Sequence, residues 1–434
     1  MSSSAELAPP VPAAAELPRL LAGALADRPL SLTEHFERYG PVRQSAGRSR
    51  GEELIELAAA AGLTGRGGAG FATARKLRAV ADARAHARPV VVANGVEGEP
   101  VSDKDKALLR HAPHIVLDGV ALAAEAVGAR TAIVALADSA SHELAAVRAA
   151  LAERERRNVD QIQIEVARVP DWFVAGEETA IVHALNGGPA APTFTPPRPF
   201  ERGVGGAPTL VQNVETLAHL ALIARFGPQW FRAVGTAAEP GSALVTVSGA
   251  VSRPGVYEVP LGLPLADLLS WANGPSEPLS AFLIGGYFGT WIAAEQALRL
   301  RLIDAELASS GASLGARAIV ALPRSACGLV ESAHVIRYLA DESAGQCGPC
   351  VHGLDAIAGA FERLARGGRD AAGAPAQLKR WLGQVKGRGA CRHPDGAARL
   401  VESALRVFGA EVELHARGRC QGTRRAPLPL GRAR

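Results

Sequence analysis

Between Gly65 and Phe71 the chain reads GRGGAGF, with glycine at 65, 67, 68 and 70. Glycine at this density lets backbone N–H groups come close to a phosphate or a flat ring, an approach that side chains would block. Lys76 follows about one helical turn further on and offers a cation for a phosphate. A mobile turn has the same composition, so the run alone does not specify a ligand. Residues 90–106, VVVANGVEGEPVSDKDK, bring Asn94, Glu97 and Glu99 out of an apolar run. At a strand end such groups accept hydrogen bonds from ribose hydroxyls or a carboxamide, or else form a solvated loop. In AGEETAIVHAL, Glu177 and Glu178 open a helix, where carboxylates also serve simply as caps. In PTLVQNVETLAHL, the amides of Gln212 and Asn213 suit a flavin ring edge or a phosphate; by itself the segment reads as the start of a helix.

Cys347 and Cys350 stand in DESAGQCGPC, and the residue three before Cys347 is Ala344. A cysteine there would complete C-x2-C-x2-C, the spacing that wraps thiolates around an iron–sulfur cluster. As it stands, the pair fits a cluster loop lacking one ligand, a redox dithiol or a zinc clip. No expected strand precedes CGPC, which argues against a thioredoxin-type unit.

The elements that must position these groups follow from pattern. The chain has 434 residues, more than one core usually supports. It is 48% hydrophobic and 21% charged, an ordinary globular balance, with a mild net charge of +4. Its arginines are scattered, so nucleic acid is not an expected partner. No apolar run reaches the ~18–20 residues of a membrane helix, and MSSSAELAPPVPAAAELPRL lacks a signal-peptide pattern. The five cysteines cluster in the last quarter, which points to metal or redox work in a reducing, cytoplasmic setting. Residues 1–50 read as an extension lying on another domain. Helix and strand then alternate to about 235, as in a doubly wound α/β domain. Two short strands around a Pro-Gly turn and a brief helix make a small α+β module over 240–325. Amphipathic helices fill 326–422 and suggest a bundle, and 423–434 is a tail.

Taken in order, GRGGAGFATARKL, NGVEGEPVSDKDK, GEETA, PTLVQNVET and ESAGQCGPC resemble blocks of the NADH-binding flavoprotein of respiratory complex I, its F subunit. The diaphorase subunits of related hydrogenases and formate dehydrogenases share them. The likeness runs from roughly residue 35 to 420. It implies an FMN/NADH-binding α/β domain over 51–235, a ubiquitin-like β-grasp (SLBB-type) module and a helical iron–sulfur domain. It implies electron flow from NADH through FMN to a cluster and a partner iron–sulfur protein, the chain being cytoplasmic or peripheral to a membrane complex. The implied FMN cradle is Gly65, Gly67, Gly68, Gly70, Lys76, Asn94, Glu97, Glu177, Gln212 and Asn213. NADH would lie along Phe71, Lys76, Glu97 and Glu178, the two glutamates acting as the catalytic carboxylates. Cluster ligands would be Cys347, Cys350 and Cys391.

Several positions depart from the family pattern. Val96 replaces an Asp, although relatives in Rnf-type complexes share NGxExEP. Gln212 replaces an Asn, and Gly205 replaces an aromatic that stacks on adenine, for which Phe200 or Trp230 are candidate stand-ins. Ala344 leaves three cysteines for the cluster. The outcomes are a [4Fe–4S] cube with incomplete cysteine ligation, a [3Fe–4S] form, or no cluster. His393 and Asp341 are candidates for the open corner. Cys327 is expected to be a buried structural thiol and Cys420 a remnant. The competing reading is a non-catalytic scaffold protein with partly lost cofactor sites.

Overall fold

The computed structural model describes residues 16–22, 28–42, 48–84, 87–422 and 428–429, so parts of the expected N-terminal extension and most of the tail lie outside them. The described part of the extension packs against the body. The N–H groups of Arg19, Leu20 and Leu21 donate to one carboxylate oxygen of buried Glu258, at 2.7, 2.7 and 3.2 Å. The Arg19 guanidinium lies 3.8 Å from the Trp230 ring centroid. Helix α1 (Leu32–Tyr39) follows, started by a reciprocal cap between Ser31 and Glu34.

The first large unit contains α2 (Arg48–Ala61), α3 (Thr73–Ala83), β1 (Val90–Gly95), α4 (Lys104–His111), α5 (Pro113–Val127), β2 (Thr131–Ala137), α6 (Ser141–Arg156), β3 (Gln163–Val169), α7 (Glu178–Leu185), β4 (Thr209–Asn213) and α8 (Val214–Arg232). Strands β1, β2 and β4 are short and rich in Val, Leu and Ala, as strands covered on both faces must be, and the edge strand β3 is half-exposed. They form a parallel sheet ordered β3-β2-β1-β4. The chain builds outward from β1 to β3, then returns to the other side of β1 for β4. That reversal opens a crevice at the carboxyl ends of β1 and β4. On one face α5 and α8 touch backbone to backbone: a Cβ on Gly119 would fall 2.0 Å from the Leu217 carbonyl oxygen.

One local expectation changes here. PTLVQN is not the start of a helix but strand β4, because Leu210 and Val211 are buried beside β1. The helix begins only at Asn213, whose Oδ1 accepts from Glu215 N–H at 3.0 Å.

The second unit is a mixed five-stranded sheet ordered β6-β5-β9-β7-β8. It comprises β5 (Ser242–Gly249), β6 (Gly255–Pro260), α9 (Leu265–Trp271), β7 (Leu279–Ile284), β8 (Thr290–Ala293), the short helices α10 (Ala294–Ala297) and α11 (Asp304–Leu307), and β9 (Ala318–Pro323). Its core gathers Val245, Val247, Leu268, Phe282 and Ile319. The third unit packs α12 (Gly328–Asp341), α13 (Asp355–Arg366), α14 (Ala374–Val385), α15 (His393–Val407) and α16 (Gly409–Ala416). The apolar stripe of α13 (Ile357, Ala358, Ala360, Phe361 and Leu364) is buried in its core. The expected single last helix breaks between α15 and α16. Phe408 leaves helical geometry and sits against Gly328, where a Cβ would fall 2.3 Å from its ring.

The units are tied by polar contacts. Leu244 N–H donates to Glu215 at 2.9 Å, Tyr287 N–H to Glu99 at 2.8 Å, and Trp291 N–H to Ser403 at 3.0 Å.

Candidate functional site

The glycine run closes into a lasso. Gly65 N–H donates to the Phe71 carbonyl at 2.8 Å, and Thr73 N–H to Leu63 at 2.9 Å. Gly67, Gly68, Ala69 and Gly70 at its tip are exposed, and Gly68 and Gly70 take positive φ of 105° and 60°. A Cβ on Gly70 would meet nothing within 4 Å, so the backbone here borders open space. Arg66 points the other way and is buried; its N–H donates to Thr216 Oγ1 at 2.8 Å. Burial first, then the nearby Arg317 charge, lowers its pKa to about 10.

The lasso faces the crevice. Asn94 and Asn213 are register partners at the ends of β1 and β4. Asn94 Nδ2 donates to the Gly176 carbonyl at 2.9 Å, and its Oδ1 accepts from Val96 N–H at 3.0 Å. Asn213 Nδ2 donates to Asp105 at 2.7 Å, and the Asn213 side chain lies directly under Gly67. Gln212 is buried, its Nε2 3.5 Å from Thr73 Oγ1. Glu97 folds back onto the start of α4, accepting from Lys106 N–H at 3.2 Å and from the Ser102 hydroxyl. Burial and then the Asp105 carboxylate push its pKa up. Glu99, weighed as a ribose acceptor, instead holds Tyr287 N–H of the second unit.

Beneath these lies a buried ionic group that sequence reasoning did not single out. Lys104 Nζ sits 2.6 Å from Asp105 and 3.0 Å from Glu215. A charged KD pair just past a buried strand was the available signal.

The opposite wall is the start of α7. Glu177 is its N-cap, accepting from Thr179 N–H at 2.8 Å and Ala180 N–H at 3.1 Å. Glu178 instead forms an ion pair with Lys76 at 2.7 Å, both half-buried, so the two cross from lasso helix to α7. Phe71 remains 50% exposed and Phe194 81% exposed. Of the two stand-ins for the lost aromatic, Trp230 is buried under Arg19, whereas Phe200 is half-buried against the hydrophobic core.

Cys347, Cys350 and Cys391 gather at the end of α12 remote from Cys327. Burial and then the neighbouring Cys347 and Cys391 sulfurs push the Cys350 thiol up to about 12. Burial also raises Cys391; its sulfur faces the His393 N–H and feels both Glu177 and Cys347. The two candidates for the open corner differ: Asp341 is engaged elsewhere, whereas His393 commits only its Nε2, and its buried Nδ1 has no hydrogen-bond partner among the described residues. His393 Nε2 lies 2.6 Å from the Leu339 carbonyl, its ring packed edge-on against Phe173 and Phe288. Asp341 is exposed and pairs with Arg337. Cys327 is buried, as expected of a structural thiol, and both it and Cys420 lie beside His415.

Comparison with known proteins bears on this arrangement. The Nuo51 FMN-binding domain family matches residues 58–222, the SLBB domain 244–284, and the NADH-ubiquinone oxidoreductase-F iron-sulfur binding region 323–415. The NADH-quinone oxidoreductase F 2 subunit of Rhizobium meliloti (strain 1021) is 32% identical over 398 residues, covering 89% of this chain and 94% of that protein. The chain belongs to the family of NADH-quinone oxidoreductase F subunits. The F subunit of Streptomyces coelicolor (strain ATCC BAA-471 / A3(2) / M145) is 30% identical over 405 residues, covering 90% of this chain and 88% of its own. Among solved structures, an NAD+-reducing [NiFe]-hydrogenase in the H2-reduced state is 31% identical with a TM-score of 0.78. The alignment covers 85% of this chain and 63% of the hydrogenase chain.

For a member of this family, the residues present suit a flavin. The open lasso tip offers unhindered backbone, and Gly205 and Gly206, both at positive φ, border open space as well. The donor set at Cys347, Cys350 and Cys391 suits iron with one protein sulfur missing. Among the described residues no helix is long and apolar enough to cross a membrane.

Proposed function

We propose that this chain accepts electrons from NADH at an FMN held in the β1/β4 crevice and passes them through a cluster on Cys347, Cys350 and Cys391 to a separate iron–sulfur protein. The observation that carries the reading is the adjacency of its two halves: Phe173, in the turn that leads into the Glu177 cap of the crevice wall, donates its N–H to Glu342 just past α12 at 3.0 Å and packs edge-on against His393, two residues beyond Cys391. FMN, when bound, supplies the conversion of a two-electron donor into single-electron steps. The chain's own groups bind and orient. The exposed backbone of the lasso tip offers N–H groups suited to phosphate, whereas the start of α7 is already capped by Glu177. Lys76 and Glu178 tie lasso to wall, and the exposed Phe71 offers a flat apolar face at the mouth. Glu97, with its pKa raised and the Ser102 hydroxyl on it, is suited to hold a proton at its carboxyl oxygens near neutral pH. In this reading Glu97 and Glu178 remain the proposed catalytic carboxylates.

The three departures at Val96, Gly205 and Ala344 are what would favour a scaffold role instead. An absorption spectrum of anaerobically purified protein, before and after NADH, separates the two. Flavin absorption that bleaches with NADH is expected; protein without flavin, or with flavin unresponsive to NADH, overturns the electron-transfer reading. Iron and acid-labile sulfide analysis on the same sample tests the cluster separately.

A further inference from the structure

At the end of α12 opposite the cluster loop lies a second set of soft ligands. Cys327, His415 and Cys420 each offer one ligand atom, and these atoms lie within 4.8 Å of one another. The helix between this set and the cluster loop has 14 residues, about 20 Å of rise. These cysteines therefore cannot fill the corner left by Ala344.

Four observations make the set look built. The first is the histidine tautomer. His415 is buried, and its Nδ1 lies 3.2 Å from the Leu364 carbonyl, so Nδ1 carries the proton and donates. That leaves the Nε2 lone pair free, and it faces Cys327 Sγ at 3.4 Å. Metal-binding histidines are oriented in this way, one ring nitrogen on a carbonyl and the other on the ion. The second is the spacing. Zinc–sulfur bonds of about 2.3 Å and zinc–nitrogen bonds of about 2.0 Å, meeting at a tetrahedral angle, place S and N roughly 3.5 Å apart. The third is the chain path. Gly418, at a φ of 68°, turns the chain after α16, with Gly418 N–H on the His415 carbonyl and Arg419 N–H on that of Leu414. Residues 420–422 thereby return to α12, and a Cβ on Gly422 would fall 2.8 Å from Cys327 Cβ. The fourth is the setting of Cys327. It is the N-cap residue of α12 and holds its buried sulfur against His415 at the point where the chain after α16 returns.

We propose that Cys327, His415 and Cys420 bind a zinc-class divalent cation. Two thiolates and one neutral imidazole are the donor set of such an ion, and calcium or magnesium would need oxygen ligands. Cys327 and His415 are buried and Cys420 is exposed, so the fourth position opens toward solvent and takes water. Binding displaces the two thiol protons and pins the segment after α16 to the start of α12. The site is independent of the flavin and iron chemistry proposed above.

The test is metal analysis of the full chain purified under reducing, anaerobic conditions, with flavin and iron measured on the same sample. About one zinc per chain is expected. C420S, at an exposed position that folding does not depend on, and H415A should each lower zinc at least tenfold while leaving flavin and iron unchanged. C347S should do the reverse, lowering iron and keeping zinc. Apo-protein titrated with Co(II) should show thiolate-to-cobalt charge transfer that C420S lacks. A parent chain that holds no zinc and shows no such band overturns the proposal. So does zinc retained by both C420S and H415A, or a Cys327–Cys420 disulfide found by mass spectrometry in protein purified under the same reducing conditions.

Discussion

The crevice and the cluster loop, neighbours in space, are held in opposite ways. In the crevice nearly every polar side chain already has a protein partner: Asn94 on Gly176, Asn213 on Asp105, Lys76 on Glu178, Glu97 on the start of α4. What remains open is backbone, at the lasso tip. Such a site is preorganised without its ligand, because its side chains are fixed by one another. At the cluster loop the functional atoms are the thiols themselves, which meet chiefly one another. Cys347 and Cys350 are joined by one turn, with Cys350 N–H on the Cys347 carbonyl at 3.0 Å, and the Cys350 thiol is kept protonated by burial and by the neighbouring sulfurs. A metal must displace these thiol protons before the loop is complete, whereas the crevice is formed by protein contacts alone. Loss of a single ligand therefore weighs more on the cluster loop than loss of a single contact does on the crevice.

The largest test of that contrast is Cys391→Ser. Iron per chain should fall to background and reduction of an iron–sulfur acceptor should drop more than tenfold, while bound flavin and its bleaching by NADH persist. Equal loss of flavin and iron would break the contrast, and both are read on one sample by metal analysis and absorbance. Ala344→Cys should come next. It adds the fourth thiolate, so iron retained after brief exposure to air should rise clearly above the parent, with no change at the flavin. A third change probes the crevice alone. Lys76→Ala removes one charge-assisted contact, and the KM for NADH in a flavin-bleaching assay should rise about tenfold, corresponding to ~1.4 kcal/mol, with iron unchanged.

The smallest concerns the joint between units. Burial outweighs the Tyr287 N–H and raises the Glu99 pKa from 4.5 to about 8. The folded state then binds the proton more tightly than the unfolded chain does. Its contribution is fully present below about pH 4.5 and is lost as pH rises through about 8. Glu99→Gln should flatten the fall in thermal stability across that window, seen as parallel melting curves at the two ends of the range. A parent whose stability does not fall across the window would show that Glu99 ionises freely.

Much of this was legible before folding. Short Val- and Ile-rich runs announced buried parallel strands, and helix ends were marked by residues such as Gly62 and Gly128, both at positive φ. The blocks around Gly65, Asn94, Glu177 and Asn213 were found because each is continuous in sequence. PTLVQN was misjudged as a helix start because five residues carry too little periodicity to separate a buried strand from a helix. The packing of Phe408 against Gly328 could not be read locally, because the two lie eighty residues apart. Cys327, His415 and Cys420 could not be joined from spacing, since an 88-residue separation between Cys327 and His415 has no pattern to recognise.

By itself, then, the sequence determined which local segments could carry flavin and cluster chemistry, since those depend on residue types a few positions apart. It also determined that Ala344 brings no ligand. Only the tertiary structure decided which charges neutralise one another, that Glu99 serves the joint between units, and that Trp230 is buried beneath Arg19. It alone placed Phe173 against His393 and Cys327 beside His415. The physical reason is range: helix, strand and turn preferences act over a few residues, whereas burial and ligand convergence depend on which distant segments the packed core brings together.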